Sequence, residues 1–390
     1  MTSPNFRKRE LIFPVFVPSI LFSAGEGAII PILPSAAQHL GASLPVAGFI
    51  AGLTMVGTVL FDVPAAKLVQ KYGERRAMLV SSLIAGVALI GAMLANNLWL
   101  LGLWILIAGA MISVFALARH AFMSEHVPHT HRARSLSLLG GMFRAGGFLG
   151  PVIASAVVYA AGVTWVYFAG ALLCLGAGAV LLAAPKDSVP DSTSSHHGGA
   201  LSIARRGWRK LATVGSAATI LGSLRTVRQV GVPLWGLYIG VHPGTVSLII
   251  GAAGFIDLVL FYSSGQIMDR WGRRWALMPT LVGMAIAHIL LAFAHSVIPF
   301  LLVCIAMSLA NALGSGIVLT LGADLAPTDA RSQFLAAYRL QVDSGVAITP
   351  LLLSALTVAI TLPAALIAFS GVSLFGAWLG WRYLPKFGIK

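Results

Sequence analysis

The chain has 390 residues, of which 58% are hydrophobic and only 10% are charged. Soluble domains carry about 25% charged residues, so this composition excludes an ordinary soluble domain and indicates a polytopic membrane protein. A formal net charge of +14 would favour nucleic-acid binding in a soluble chain. Here the basic residues lie mostly in short segments between apolar runs, where they orient helices in the membrane. We therefore expect no nucleic-acid partner.

Apolar runs of about 20 residues, the length that crosses a bilayer, recur along the whole chain. Their polar interruptions predict twelve helices, at residues 11–34, 44–68, 76–95, 98–123, 135–160, 163–184, 213–239, 244–267, 275–295, 297–323, 332–358 and 362–384. A long polar stretch rich in Ser, Gly and Pro is predicted to be a connector at 185–212. It separates an N-terminal half at 1–184 from a C-terminal half at 213–390. The prediction is an all-α membrane protein with six helices in each half.

The two halves resemble each other at a constant offset of 199 residues. KYGERRAM resembles RWGRRWAL, with Gly73 matching Gly272, and the same offset aligns Pro151 with Pro350. Because an even number of spans returns the chain to the same side, the two copies are predicted to be parallel. Lys and Arg concentrate at the termini and after even-numbered helices, which predicts that both termini and the connector are cytoplasmic.

The segment GQIMDRWGRR joins the eighth and ninth predicted helices. It resembles the loop signature G-x-x-x-D-[RK]-x-G-[RK]-[RK] of the major facilitator superfamily of secondary transporters. The resemblance implies two six-helix halves around a central cavity, with alternating access. The loop is expected to form a latch at the cytoplasmic face, or else to serve topology alone, through Gly265, Asp269, Arg270, Gly272, Arg273 and Arg274.

Charged side chains inside spans are costly, by about 2.5–3.5 kcal/mol each on insertion scales, and are therefore functional candidates. They are Glu26, Asp62, Arg119, Arg144, Arg225, Arg228, Asp257, Arg339 and Asp343. We expect Glu26, Asp343 or Asp257 to exchange a proton. The alternative is that these acids only neutralise buried arginines.

The repeat offset places Glu26 opposite Arg225 and Arg144 opposite Asp343. The resemblance implies that the first and fifth helices of each half are neighbours near the cavity. We therefore hypothesise two ion pairs of swapped polarity, Glu26–Arg144 and Arg225–Asp343.

The positions of two further sets of charged residues suggest their roles. Asp62 and Arg119 lie near the cytoplasmic ends of the second and fourth helices and are expected to form a gate pair, which Arg339 could join. Arg228 has no obvious partner other than Asp257. A surplus of arginine in the cavity favours an anionic, zwitterionic or amphipathic solute over a simple cation.

The fifth helix carries GGMFRAGGFLGP, in which Gly146, Gly150 and Pro151 resemble part of the superfamily's antiporter signature. The resemblance favours export, although such glycines also serve close helix packing. Cavity candidates, which could instead pack or face lipid, are Phe143, Arg144, Arg225, Arg228, Trp235, Tyr238 and Tyr338.

The favoured function is a proton-coupled exporter of small amphipathic molecules or drugs in the inner membrane, acting as a monomer. Alternatives are a transporter of lipids, glycolipids or anionic metabolites, coupled or not, and a non-transporting receptor. The proton gradient is the expected energy source, with no cofactor. The sequence contains no nucleophile elbow, metal-ligand set or phosphate loop, so no enzyme activity is expected.

Overall fold

The computed structural model describes residues 15–127, 129–183, 207–327 and 330–389. Within these ranges there are helices, turns and loops but no strand. The long helices are α1 (Val17–His39), α2 (Leu44–Tyr72), α3 (Glu74–Met93), α4 (Leu98–His126), α5 (His129–Ala161), α6 (Val163–Ala183), α7 (Ser216–Tyr238), α8 (Pro243–Trp271), α9 (Arg274–Leu291), α10 (Val297–Leu325), α11 (Arg331–Ala359) and α12 (Leu362–Tyr383). The all-α prediction with twelve spanning helices is confirmed.

Eleven of these helices are long and apolar enough to cross a membrane by length and composition. The one long helix outside this set is α7, which has 23 residues and follows a π-helical turn at Leu211–Gly215. It carries Arg225 and Arg228, whose charges lower its hydropathy. The helix therefore carries charged side chains among apolar helices, and Arg228 contacts α8 and α10.

Most helices differ from the predicted segments by a few residues at their ends, and two of them contain an irregular turn that the sequence analysis does not predict. The first was predicted at 11–34, but α1 continues to His39 through a 3₁₀ turn at Ile30–Ile32, where Pro31 and Pro34 remove backbone donors. The tenth was predicted as continuous, but α10 is interrupted between Leu313 and Ile317. Gly316 in the interruption has φ of +87°, a conformation that side chains disfavour.

The chain forms two compact units, Met1–Thr193 with His242–Phe255, and Ser194–Val241 with Ile256–Lys390. In the first unit α1 packs against α5 and α6, and α3 packs against α4 and α6. In the second unit α7 packs against α11 and α12, and α9 packs against α10 and α12. The pairs correspond one to one, which confirms the predicted repeat of a six-helix unit.

Hydrogen bonds between helices repeat in the same register. In the first unit Thr58 of α2 donates to the carbonyl of Gly109 on α4 at 3.0 Å. The offset of 199 residues converts this pair into Asp257 of α8 and Ser308 of α10, which are also hydrogen-bonded, at 3.4 Å. Equivalent positions therefore meet in both units, and the second unit has an acid where the first has a threonine.

Candidate functional site

An arginine–carboxylate network joins three helices of the second unit. Arg228 of α7 donates from Nη2 to Oδ2 of Asp257 on α8 at 2.7 Å, and their side chains are 18% and 17% exposed. The same nitrogen donates to Oγ of Ser308 on α10 at 2.7 Å. Asn311 of α10 donates from Nδ2 to the other oxygen of Asp257 at 2.9 Å. Both carboxylate oxygens are thus engaged, and Asp257 is the partner of Arg228.

The network continues to a second arginine through the interrupted part of α10. Arg225 donates from Nε to Oδ1 of Asn311 at 2.9 Å and from Nη2 to the carbonyl of Gly314 at 2.8 Å. Gly314 is the residue at which the first segment of α10 ends, so its carbonyl lies outside the regular helical ladder. The amide of Asn311 therefore connects the guanidinium of Arg225 to the carboxylate of Asp257.

Glu26 in the first unit has a different environment. It lies half-buried on α1 between Gly25 and Gly27. The cation that acts on its carboxylate is Arg119 of α4. Arg144, the partner hypothesised from the repeat, donates to the carbonyl of Gly140 on its own helix at 3.1 Å. Arg119 of the fourth helix therefore acts on the charge of Glu26, although no ion-pair contact joins the two side chains within the described residues.

Arg119 is buried beside aromatic rings. Its guanidinium carbon lies 5.2 Å from the ring centre of Phe143 and 6.0 Å from that of Phe115. Phe115 in turn stacks on Phe22 of α1, with ring centres 4.0 Å apart. The hydrogen bond of Arg119, from Nη1 to Oγ of Ser23, is long at 3.4 Å, and its Nε has no partner within the described residues. Ring faces and Glu26 therefore offset this charge, with little hydrogen bonding.

The expected gate pair between Asp62 and Arg119 is not formed. Asp62 of α2 accepts a hydrogen bond from the hydroxyl of Ser113 on α4. Ser113 and Arg119 are six residues apart, so they face different sides of α4 at about 100° per residue. Arg119 contacts Ser23 of α1 and Phe143 of α5, whereas Asp62 lies against a different side of α4.

Asp343 forms its described ion pair within α11. Arg339 donates from Nε to Oδ2 of Asp343 at 3.3 Å, one helical turn away. The side chain of Arg339 is mostly exposed. Arg225, its hypothesised partner, contacts Asn311 and Gly314 as described above, and the pairing of Arg225 with Asp343 stays a prediction. Arg339 thus belongs with Asp343 and not with Asp62.

The loop signature between α8 and α9 contains a short ion pair. Gly272 makes the turn with φ of +94°. Arg273 donates from Nε to Oδ2 of Asp324, near the end of α10, at 2.9 Å. Its contact with Asp269 is longer, 3.9 Å, and the Asp269 side chain is 85% exposed. Arg273 of this loop therefore forms its main ion pair with Asp324, and Asp269 makes only the weaker contact.

The remaining signature residues differ in their surroundings. A Cβ on Gly265 would meet no atom within 4 Å, so close packing does not require a glycine there. Arg270 is exposed. Arg274 places its guanidinium 5.6 Å from the ring centre of Trp381 on α12.

The aromatic cavity candidates divide into packed and accessible side chains. Trp235 is fully buried and donates from Nε1 to the carbonyl of Ala294 at 2.9 Å. Tyr338 is buried and donates to the carbonyl of Val318 at 2.7 Å. Packing and backbone hydrogen bonds account for the placement of these two residues, and their role at a cavity stays a prediction. Tyr238 and Phe143 are exposed, and Phe143 flanks Arg119.

The helix-five motif brings α1 and α5 into backbone contact. A Cβ on Gly146 would lie 2.5 Å from the side chain of Ser23, and one on Gly150 would overlap the carbonyl of Ala24. Pro151 lies 3.4 Å from the Cβ position of Gly27. These residues therefore pack α5 directly against the helix that carries Glu26.

Sequence reasoning missed the uncharged members of both sites. Ser113, Ser308 and Asn311 donate hydrogen bonds to Asp62 or Asp257, yet none of them is among the candidates of the sequence analysis. A signal was present, because an Asn inside the apolar run SLANALGSG needs a hydrogen-bonding partner in a membrane. Within the described residues, no group of three or more His, Cys, Asp or Glu side chains could hold a metal ion.

Twelve long helices, matching helix pairs in the two units and charges inside apolar helices define a polytopic membrane protein. The sequence profile of the Major Facilitator Superfamily matches residues 15–230 and 214–388. The chain therefore belongs to this superfamily.

Similar proteins include tetracycline resistance proteins. The class H protein of Pasteurella multocida is 28% identical over 145 residues, which are 36% of this chain and 36% of that protein. The class B protein of Escherichia coli is 23% identical over 287 residues, 70% of this chain and 71% of that protein. The match with the class H protein thus spans about a third of that protein's length.

Solved structures share the fold at low identity. A POT family transporter in complex with a thioalcohol-conjugated peptide has a TM-score of 0.80 at 12% identity, covering 97% of this chain and 96% of that chain. A variant of the nucleoside transporter NupG has a TM-score of 0.78 at 15% identity, covering 95% and 98%.

Proposed function

We propose that this chain is a secondary active exporter that exchanges protons for small amphipathic molecules, drugs among them, by alternating access. The observation that carries the proposal is the contrast between the carboxylates of Glu26 and Asp257. Both oxygens of Asp257 accept hydrogen bonds, from Arg228 at 2.7 Å and Asn311 at 2.9 Å. Glu26 accepts none from the part of the chain that the structure describes.

A carboxyl that couples transport to protons must gain and lose a proton as the protein cycles. A proton added to Asp257 would have to displace one of the charge-assisted hydrogen bonds that its oxygens accept. Protonation of Glu26 breaks no such bond, while its ionised form attracts Arg119 inside a medium that screens charge weakly. We therefore assign proton exchange to Glu26 and a positioning role to Asp257. Asp343, whose ion pair is on the more exposed surface of α11, is a second candidate for exchange.

The surroundings of Glu26 also support an amphipathic substrate. Phe143 is 41% exposed and lies against Arg119, and the stacked Phe22 and Phe115 extend this surface. Aromatic rings beside one cation provide apolar area together with a single polar contact, which is the usual composition of small-molecule sites. The tetracycline resistance relatives support export of drugs of this kind.

The remaining parts of the proposal are the location of the protein, its energy source and its oligomeric state. We place the protein in the inner membrane with both termini and the connector in the cytoplasm, because the basic loops follow even-numbered helices. The proton gradient is its energy source, without a cofactor or a resident metal ion. It acts as a monomer that contacts lipid, protons and a small solute, and it is not an enzyme.

The test is proton release from purified protein on addition of a panel of amphipathic compounds that includes tetracycline. Wild type, Glu26→Gln, Asp343→Asn and Asp257→Asn are compared in weakly buffered solution. We expect wild type to release protons, Glu26→Gln to bind without release, and Asp343→Asn to keep the release. The same variants in proteoliposomes should show that a pH gradient drives transport by wild type but not by Glu26→Gln.

Other results would assign the function differently. Loss of release in Asp343→Asn alone would move proton exchange to α11. Binding without release in wild type would contradict proton coupling. Selective binding of lipids or anionic metabolites in the same panel would favour a transporter of those solutes instead.

A further inference from the structure

A patch of cations and aromatic rings lies where α9 begins and α12 ends. The two helices pack closely there, since a Cβ on Gly380 would lie 2.8 Å from the side chain of Leu277. We call it the α9/α12 patch, and its members are Arg274, Trp275, Trp378, Trp381, Arg382, Tyr383 and Lys386. None of them belongs to the arginine–carboxylate network or to the surroundings of Glu26.

Each cation of the patch is placed over a ring. Arg274 lies 5.6 Å from the ring centre of Trp381, Arg382 lies 6.0 Å from that of Tyr383, and Lys386 lies 4.8 Å from the same ring. Such contacts orient a cation without neutralising it. The patch therefore presents three ordered positive charges.

These charges have no acidic partner among the residues that the structure describes. Within the residues that the structure describes, neither Arg274, Arg382 nor Lys386 forms an ion pair, whereas the neighbouring Arg273 binds Asp324. The segments 270–291 and 371–389 contain no Asp or Glu at all. The patch is thus complementary to an anion.

The rings of the patch are exposed at the ends of two membrane-spanning helices. Trp275, Trp378 and Trp381 are each about half exposed or more. Trp378 and Trp381 are three residues apart and share one face of α12, and Trp378 meets Tyr383 edge-on at 6.3 Å. Exposed Trp and Tyr side chains prefer the depth of lipid headgroups. The anion that fits here has a phosphate at headgroup depth and acyl chains beside the helices.

We propose that the α9/α12 patch binds the headgroup of an anionic phospholipid. Its three cations contact the phosphate and the headgroup, and Trp378 and Trp381 contact the upper acyl chain. This site requires only that the chain spans a membrane, so it stands apart from proton exchange at Glu26.

Native mass spectrometry of the purified full chain tests the proposal, with phosphatidylglycerol and phosphatidylcholine of identical acyl chains as probes. The triple variant Arg274→Gln, Arg382→Gln and Lys386→Gln removes the charges of the patch. The matched control Lys67→Gln, Lys71→Gln and Arg76→Gln removes three exposed charges from the ends of α2 and α3. Size-exclusion chromatography establishes that each variant is folded.

Each cation near an anionic headgroup is worth about fivefold in affinity, so the patch variant should retain phosphatidylglycerol at least about tenfold more weakly than wild type. The control should retain it as wild type does, and the loss of phosphatidylcholine should be smaller, because the choline group neutralises its phosphate. A second variant, Trp381→Leu with Tyr383→Leu, should also weaken retention although all three charges remain. Equal losses in the patch and control variants, equal retention of both lipids by wild type, or no effect of the ring variant would each overturn the site.

Discussion

Removing the charge of Asp257 should destabilise the protein far more than removing the charge of Glu26. Asp257→Asn keeps the side chain's shape but exchanges one oxygen for an NH₂ group. That group then faces a donor, because both oxygens of Asp257 accept hydrogen bonds from Arg228 or Asn311. The variant loses one charge-assisted hydrogen bond, worth about 1.5–3 kcal/mol, and leaves the cation of Arg228 without its counter-charge.

The expected loss in free energy of unfolding is about 3 kcal/mol, at the lower end of the range for breaking a buried pair because the two side chains retain some exposure. Glu26→Gln removes no hydrogen bond within the described structure. It takes away one of the groups that offset the charge of Arg119, but the contacts of Arg119 with Phe115 and Phe143 remain, so we expect a smaller loss of about 1 kcal/mol. Unfolding by sodium dodecyl sulfate in mixed micelles measures both values in the same preparation.

A double-mutant cycle separates the ion pair from general disruption. Arg228→Gln combined with Asp257→Asn should be more stable than the two single losses predict, by about 2 kcal/mol, because neither charge remains unpaired. A loss for Asp257→Asn no larger than that for Glu26→Gln would refute the structural role of Asp257. Strict additivity in the cycle would refute the coupling of Arg228 to it.

Two further predictions follow from the loop signature and the α1–α5 contact. Arg273→Gln should lower the free energy of unfolding by about 1 kcal/mol or less, because it breaks the 2.9 Å contact with Asp324, whereas Asp269→Asn should leave it unchanged; a larger effect at Asp269 would contradict the structure. Gly146→Ala should cost about 1–3 kcal/mol, because its Cβ would lie 2.5 Å from an α1 side chain. Gly147→Ala, whose Cβ meets no atom within 4 Å, should be neutral in the same detergent titration, and equal losses at both positions would contradict the packing.

Sequence patterns identified the charged residues of the site but predicted only some of their contacts. Arg228 and Asp257 were named as possible partners, and they are 2.7 Å apart. Glu26 was assigned to Arg144 by repeat symmetry, yet Arg119 is the cation that acts on it. Symmetry predicts which helices are neighbours, but a side chain's direction depends on the face of the helix it occupies and on what fills the adjacent space. Here the aromatic rings of Phe115 and Phe143 hold Arg119 between α1 and α5.

The sequence alone determined the twelve helices and the repeat, because the length and polarity of apolar runs limit what a membrane accepts. It also determined which side chains are costly enough to be functional, since insertion energies depend on residue type and depth. The tertiary structure decided which of those charges are satisfied. Asp257 lies where α7, α8 and α10 bring three donors together, and Glu26 lies where glycine contacts bring helices close without supplying a donor. Donor geometry across helices far apart in sequence has no local signal, so only the packed structure shows that Asp257 accepts several hydrogen bonds and that Glu26 accepts none from the described residues.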